Sequence, residues 1–255
     1  MVSSRVTSRS EQRLTKRQSR LAEKGVEKFP TINQLHFDLK PIKPMTHNQG
    51  KVFSAYKEES NVCLIGAAGT GKTFLSIYLA LQEISDKCSP RRKLIIIRTA
   101  QPSKQIGFLP GDEKRKLEVY EAPYKAICSE LYHRADAYEI LKQKGIIEFH
   151  GTSFLRGTTL EDSIILIDEI QNMGYQEMRT VVTRLGNNSR LVICGDIRQD
   201  DLTSERYKET SGLSTLLQVL QKMNQVTTVE FYPEDVVRSG FVREFLLAEY
   251  DLRLY

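Results

Sequence analysis

LIGAAGTGKTFLS (residues 64–76) is the stretch on which the fold turns. Its middle, GAAGTGKT (66–73), fits the pattern G-x-x-x-x-G-K-[ST]. The apolar run VCLI (62–65) before it reads as a strand. The residues from Lys72 to Ile84 read as a helix with Phe74, Leu75, Tyr78, Leu79 and Leu81 on one face. In that context the glycines let the backbone turn so that several N–H groups converge on one anion. The helix adds the partial positive charge of its N-terminus. Gly66, Ala67, Ala68, Gly69, Thr70, Gly71, Lys72 and Thr73 are therefore the expected phosphate cradle. Lys72 would reach the β- and γ-phosphates and Thr73 would hold Mg²⁺ through its hydroxyl. Such cradles serve switches, kinases, motors and transporters alike, so the choice among them rests on other residues.

IILIDE (164–169) is the matching second half. Four apolar residues make a buried strand, and Asp168 emerges at its C-terminal end, where it can bind Mg²⁺ directly or through water. Glu169, beside it, can polarise water for in-line attack on a γ-phosphate. That pair points to hydrolysis of a nucleoside triphosphate. The DxxG and NKxD patterns of GTP switches are not found. Gln199, in GDIRQDDL (195–202), follows another strand and can orient the attacking water or sense the γ-phosphate. Gln49, in MTHNQGKVF (45–53), carries an amide able to pair with both the donor and the acceptor of adenine.

The remaining chain alternates short apolar runs with helical patterns. Strands are expected at 93–98, 145–150, 163–169, 190–196 and 226–231, and helices at 114–131, 176–185, 213–223 and 241–250. Pro123 should break or kink the first of these helices. Strands that are apolar throughout are buried on both faces, which predicts an α/β fold with a parallel central sheet and helices on both faces.

Net charge is +5, but ten Lys or Arg against four Asp or Glu fall within residues 1–45, so the basic excess lies there. Residues 1–44 read as a basic arm, helical around 11–24, with the proline-bearing connector FDLKPIKPMT at its end; residues 45–255 read as the folded domain. A basic arm can grip a polyanion or be a solvated leader. No run approaches the roughly 18 apolar residues of a membrane span. The N-terminus has no apolar signal region, and acidic Glu11 and Glu23 interrupt any organellar transit pattern. Cys63, Cys88, Cys128 and Cys194 form no CxxC pair and have no ligand-like spacing to the four histidines. Free thiols in a reduced cytoplasm follow, without a zinc site.

Five blocks in one order resemble the PhoH-like ATPases: NVCLIGAAGTGKT, KLIIIRTAQPSKQIGFLPGD, FLRGTTLEDSIILIDEIQNM, TRLGNNSRLVICGDIRQDDL and EDVVRSG. The resemblance covers about residues 45–250 and implies a RecA-like P-loop NTPase domain akin to the motor core of superfamily 1 helicases. It also implies ATP, Mg²⁺, association with RNA or single-stranded nucleic acid, and a homo-oligomeric ring, a hexamer. By the same resemblance Gln49 is the adenine-contacting glutamine, Asp168 and Glu169 are the carboxylates of the family's DEAQN block, and Gln199 is the glutamine of its GD-x-x-Q block. Here the DEAQN block reads DEIQN, with Ile170 for Ala. Arg238 looks like the family's late arginine, though Ser239 and Gly240 follow it where the family has His and Pro.

An arginine aimed at the γ-phosphate stabilises transition-state charge and can come from a neighbouring subunit. Arg238, Arg184 and Arg156 are candidates. The loop after the second strand faces the polymer in RecA-like motors, and here Arg98, Lys104, Lys114, Arg115 and Lys116 lie near Phe108. The expectation is a cytoplasmic, ATP-hydrolysing ring acting on RNA or single-stranded nucleic acid. A binding or regulatory module without unwinding activity, and a P-loop kinase, stay open as alternatives.

Overall fold

The computed structural model describes residues 37–99, 113–152, 157–196 and 212–252, with residues 113–117 as backbone only. Six strands form one sheet: β1 (Asn61–Gly66), β2 (Lys93–Arg98), β3 (Ile147–Gly151), β4 (Ser163–Ile167), β5 (Arg190–Gly195) and β6 (Val226–Phe231). Their order is β3-β2-β4-β5-β1-β6, and every adjacent pair is parallel. All six were expected from the apolar runs. β5 separates β1 from β4, so the phosphate-loop strand and the carboxylate strand flank a common neighbour.

The helices are α1 (His47–Lys57), α2 (Lys72–Ser85), α3 (Glu113–Tyr132), α4 (Ala137–Gln143), α5 (Tyr175–Val182), α6 (Leu213–Leu220) and α7 (Gly240–Asp251). Alternate strand residues divide between two cores, as the period of two requires. Val62, Leu64, Leu94, Ile96, Ile164 and Leu166 pack with α1, α2, α3 and α4. Cys63, Ile65, Ile95, Ile97, Ile165 and Ile167 pack with Met178 and Val181 of α5 and with Leu213, Leu216 and Leu220 of α6. Helices thus cover both faces, as parallel strands need.

The helix expected to break or kink at Pro123 is continuous: α3 runs through it from Glu113 to Tyr132. Proline removes only the bond to the carbonyl of Val119. Pro123 and Val119 are exposed, so water can satisfy that carbonyl. The helices α1 and α4 were not anticipated. The helix expected at 11–24 lies outside the described residues.

The connector 37–46 has no helix or strand. Lys40 N donates to Leu131 O at 2.8 Å, and Phe37 meets the edge of Tyr132 at 4.9 Å, so this strip lies along α3. At the N-terminal edge of the sheet Arg190 is buried. Its Nη1 donates to Glu83 Oε2 at 2.7 Å, it pairs with Glu59 at 2.6 Å, and its guanidinium stacks 4.2 Å over Tyr56. That clamp ties β5 to α1 and α2.

Cys63, Cys128 and Cys194 are buried and Cys88 is exposed. Burial pushes the Cys63 and Cys128 thiols up to about 12. No helix among the described residues is long and apolar enough to cross a membrane.

Candidate nucleotide site

At the C-terminal edge of the sheet, β1, β4 and β5 end side by side and open onto a cleft of about 710 Å³. Clefts of that size hold drug- and nucleotide-sized ligands, and the carboxyl ends of parallel strands are where such sheets bind them. One wall is the loop between β1 and α2. Gly66 begins it at φ +131, and a Cβ there would lie 2.0 Å from Phe231 O of β6. Gly71 caps α2 in the left-handed conformation, φ +83, which only glycine adopts freely.

Lys72 Nζ donates to Gly66 O and Ala67 O, each at 2.7 Å, so the ammonium rests on the loop's own carbonyls. Burial pulls Lys72 below the usual lysine range, against the opposing charges of Asp196, Glu169 and Asp168. A half-buried cation held by neutral oxygens of its own loop is one to which an anion would bind strongly.

Opposite the loop, Asp168 is buried past the end of β4. Thr73 Oγ1 donates to Asp168 Oδ1 at 2.9 Å, and Tyr124 Oη of α3 donates to Oδ2 at 2.9 Å. Burial, and then the adjacent Glu169 charge, raise the Asp168 carboxyl above its ordinary range. Thr73 and Asp168 are hard oxygen donors brought together by folding from 95 residues apart. They fit Mg²⁺, which takes few protein ligands and shares the rest of its shell with phosphate and water.

Glu169 stands at φ 53, ψ 46, a left-handed conformation that costs a non-glycine residue about 1 kcal/mol or more. Gln171 holds it there. Gln171 Nε2 donates to Glu169 Oε2 at 2.6 Å, while Gln171 Oε1 accepts from Asp196 N at 3.0 Å. The short helical turn Ile170–Asn172 lies against Gly195, where a Cβ would come within 2.5 Å of Ile170 Cγ2.

Gln49, on α1, lines the cleft and is already engaged. Its Nε2 donates to Thr70 O at 3.1 Å and its Oε1 accepts from Met45 N at 2.7 Å. A primary amide keeps one further hydrogen and one further lone pair, enough to face a base. Arg238 also lines the cleft: its Cγ is 3.1 Å from where a Cβ on Gly69 would lie, and Val237 N donates to Gly69 O at 3.1 Å. Asp235 anchors that segment, accepting from Asn48 Nδ2 at 2.7 Å and from Tyr232 N at 3.0 Å.

Folding therefore gathers Gln49, Gly69, Gly71, Lys72, Thr73, Asp168, Glu169 and Arg238 around one cleft, with Gly66, Ala67 and Thr70 in the loop behind. Arg184 does not line it. Gln199, Arg156, Lys104 and Phe108 lie outside the described residues, as do the side chains of Lys114, Arg115 and Lys116. Of that basic group Arg98 is described, and it lines the cleft over the ring of Tyr120, 5.7 Å from its centre. Sequence reading missed Tyr124 and Asp196 as site residues and gave no part to Gln171, although Gln171 stands inside the quoted DEIQN.

Parallel sheet, strand order, phosphate loop and facing carboxylates together define a RecA-like P-loop NTPase fold. Within that class the chain belongs to the PhoH-like protein family, whose model matches residues 41–250. It is 36% identical to a PhoH-like protein of Bacillus subtilis (strain 168) over 82% of this chain and 64% of that one. It is 34% identical to a PhoH-like protein of Mycobacterium leprae (strain TN) over 83% of this chain and 60% of that one. The chain thus spans less than two thirds of the length of these relatives. Among solved structures, the large terminase of a thermophilic bacteriophage in complex with ADP aligns with a TM-score of 0.46 and 11% identity, over 83% of this chain and 50% of that one.

Proposed function

We propose that this protein is a Mg²⁺-dependent ATPase that couples hydrolysis to RNA or single-stranded nucleic acid, working as a ring of identical subunits, a hexamer. The observation that carries the reading is Glu169: a second carboxylate next to the metal-binding Asp168, held by Gln171 in an unfavourable backbone conformation. Strain kept at one residue of a cleft is a mark of function.

In this reading Lys72 and the loop N–H groups bind the β- and γ-phosphates, and Thr73 and Asp168 hold the metal. Mg²⁺, when bound, neutralises charge on the phosphate oxygens. Glu169 accepts a proton from the attacking water, Gln171 keeps its carboxylate aimed, and Gln199 orients the water. Gln49 faces adenine with its remaining hydrogen and lone pair. Arg238, next to Gly69 of its own chain, acts in cis on the γ-phosphate, leaving Arg156 and Arg184 as candidates for action on a neighbouring subunit. Arg98, where β2 ends, supports a nucleic-acid contact on the segment that follows.

Steady-state ATP hydrolysis with and without RNA, single-stranded DNA and duplex DNA tests this. ATPase activity raised severalfold by RNA or single strands and abolished by EDTA is expected. Turnover indifferent to every polymer rejects the coupling, and a phosphorylated acceptor in place of free phosphate rejects hydrolysis.

A further inference from the structure

We propose that Tyr124 is a positioning residue for the metal end of the cleft, its hydroxyl fixing the Asp168 carboxylate in the orientation a divalent cation needs. The inference rests on the nucleotide reading of the cleft given above. Asp168 has two oxygens and each receives one donor. Thr73 takes Oδ1 and Tyr124 takes Oδ2, both at 2.9 Å. Thr73 arrives with the phosphate loop, whereas Tyr124 comes from α3, which belongs to neither half of the nucleotide motif. Its ring is fully buried and packs 5.6 Å from Phe149. A phenylalanine would fill the same space, so the carboxylate is the one partner that uses the hydroxyl's proton.

Arg98, at the end of β2, lines the same cleft and lies over Tyr120, one helical turn before Tyr124 on α3. Groups one step removed from a metal ligand orient it, and their loss typically lowers metal affinity 10- to 100-fold, on the order of the effect expected here. Without the hydroxyl, Oδ2 is a buried acceptor with no donor, and the carboxylate is free to turn from Thr73. The phosphate loop is untouched by that change.

The full chain is compared as wild type, Tyr124→Phe and Tyr138→Phe. Tyr138 is the control: its hydroxyl, on α4, also donates to a buried carboxylate, that of Glu121 on α3 at 2.7 Å, and it does not line the cleft. Fluorescence of mant-labelled ADP in EDTA reads phosphate binding, and electron paramagnetic resonance of Mn²⁺ with ADP reads the metal site. Tyr124→Phe is expected to bind mant-ADP in EDTA within about twofold of wild type while its Mn²⁺ dissociation constant rises about tenfold. Tyr138→Phe is expected to keep wild-type Mn²⁺ affinity. Unchanged Mn²⁺ affinity in Tyr124→Phe, or equal weakening in Tyr138→Phe, overturns the proposal. A wild-type chain that binds neither mant-ADP nor Mn²⁺–ADP overturns the nucleotide reading itself, and this inference with it.

Discussion

Gln171 and Glu169 share a 2.6 Å hydrogen bond across two residues, although Glu169 occupies a left-handed backbone conformation. The amide does what glycine would do elsewhere: it makes the turn tolerable, while leaving a carboxylate in place. If that carboxylate is the general base, Glu169→Gln should keep ATP affinity within a few-fold and lower turnover by about 10²–10⁴. Lys72→Ala should instead lose nucleotide binding. Single-turnover hydrolysis alongside equilibrium binding separates the two, and parental turnover in Glu169→Gln removes Glu169 from the chemistry.

Gly66 and Gly50 predict opposite signs for one substitution. A Cβ on Gly66 would lie 2.0 Å from Phe231 O, at a φ of +131, and backbone cannot yield without parting β1 from β6. Gly66→Ala should cost roughly 3 kcal/mol or more. Gly50, inside α1, has nothing within 4 Å of that position. Gly50→Ala should stabilise by about 0.5–1 kcal/mol. Urea denaturation of both variants checks the pair.

Arg190 makes a prediction about the clamp at the other edge of the sheet. Arg190→Met strands part of the Glu83 carboxylate, though Arg91 still reaches it at 2.6 Å. The loss should be about 3 kcal/mol, near the lower end for a broken buried pair. Arg190→Met combined with Glu83→Met should recover part of it. A double variant less stable than the sum of the single ones would contradict this account.

Glu148 sets an acid limit. The hydrogen bond with His150, helped by Lys93 and opposed by burial, holds its carboxyl down to about 2 from an ordinary 4.5. A depressed carboxyl stabilises the fold fully above about pH 4.5 and loses that contribution as pH falls toward 2. The pair is half-exposed, so solvent reduces the effect to about 1 kcal/mol. Glu148→Gln should therefore be less stable than wild type at pH 7 and nearly equal to it near pH 2. Denaturant midpoints at several pH values check this, and a constant difference across the range rejects it.

The sheet was legible because its signal is local. The apolar runs of β1, β2, β4 and β5, bounded by turns, are what a strand buried on both faces looks like, while the edge strands β3 and β6 are partly exposed, and the phosphate loop carries its own spacing. The helix α1 was not legible: its buried residues Val52, Ala55 and Tyr56 are diluted by polar neighbours and by Gly50. At seven residues α4 was too short to show a period. Tyr124 was hidden for another reason. It sits 44 residues from Asp168, and a tyrosine on an apolar helix face looks like any core aromatic until the two chains of contacts meet. Arg238 was legible as a residue, but its closeness to Gly69 depends on the Asp235 anchor, which local sequence does not announce.

The strip 37–46 has one last consequence. The phosphate end of the cleft is built from strand ends and a loop that the sheet itself depends on. The cleft is also lined by Ile42, Lys43 and Met45, carried on a stretch outside any helix or strand. If the cleft holds ATP as proposed, contacts to the base and chemistry on the phosphates fall on separate pieces of the chain. The first can drift, or be redesigned, residue by residue at the surface, while the second is locked to the architecture.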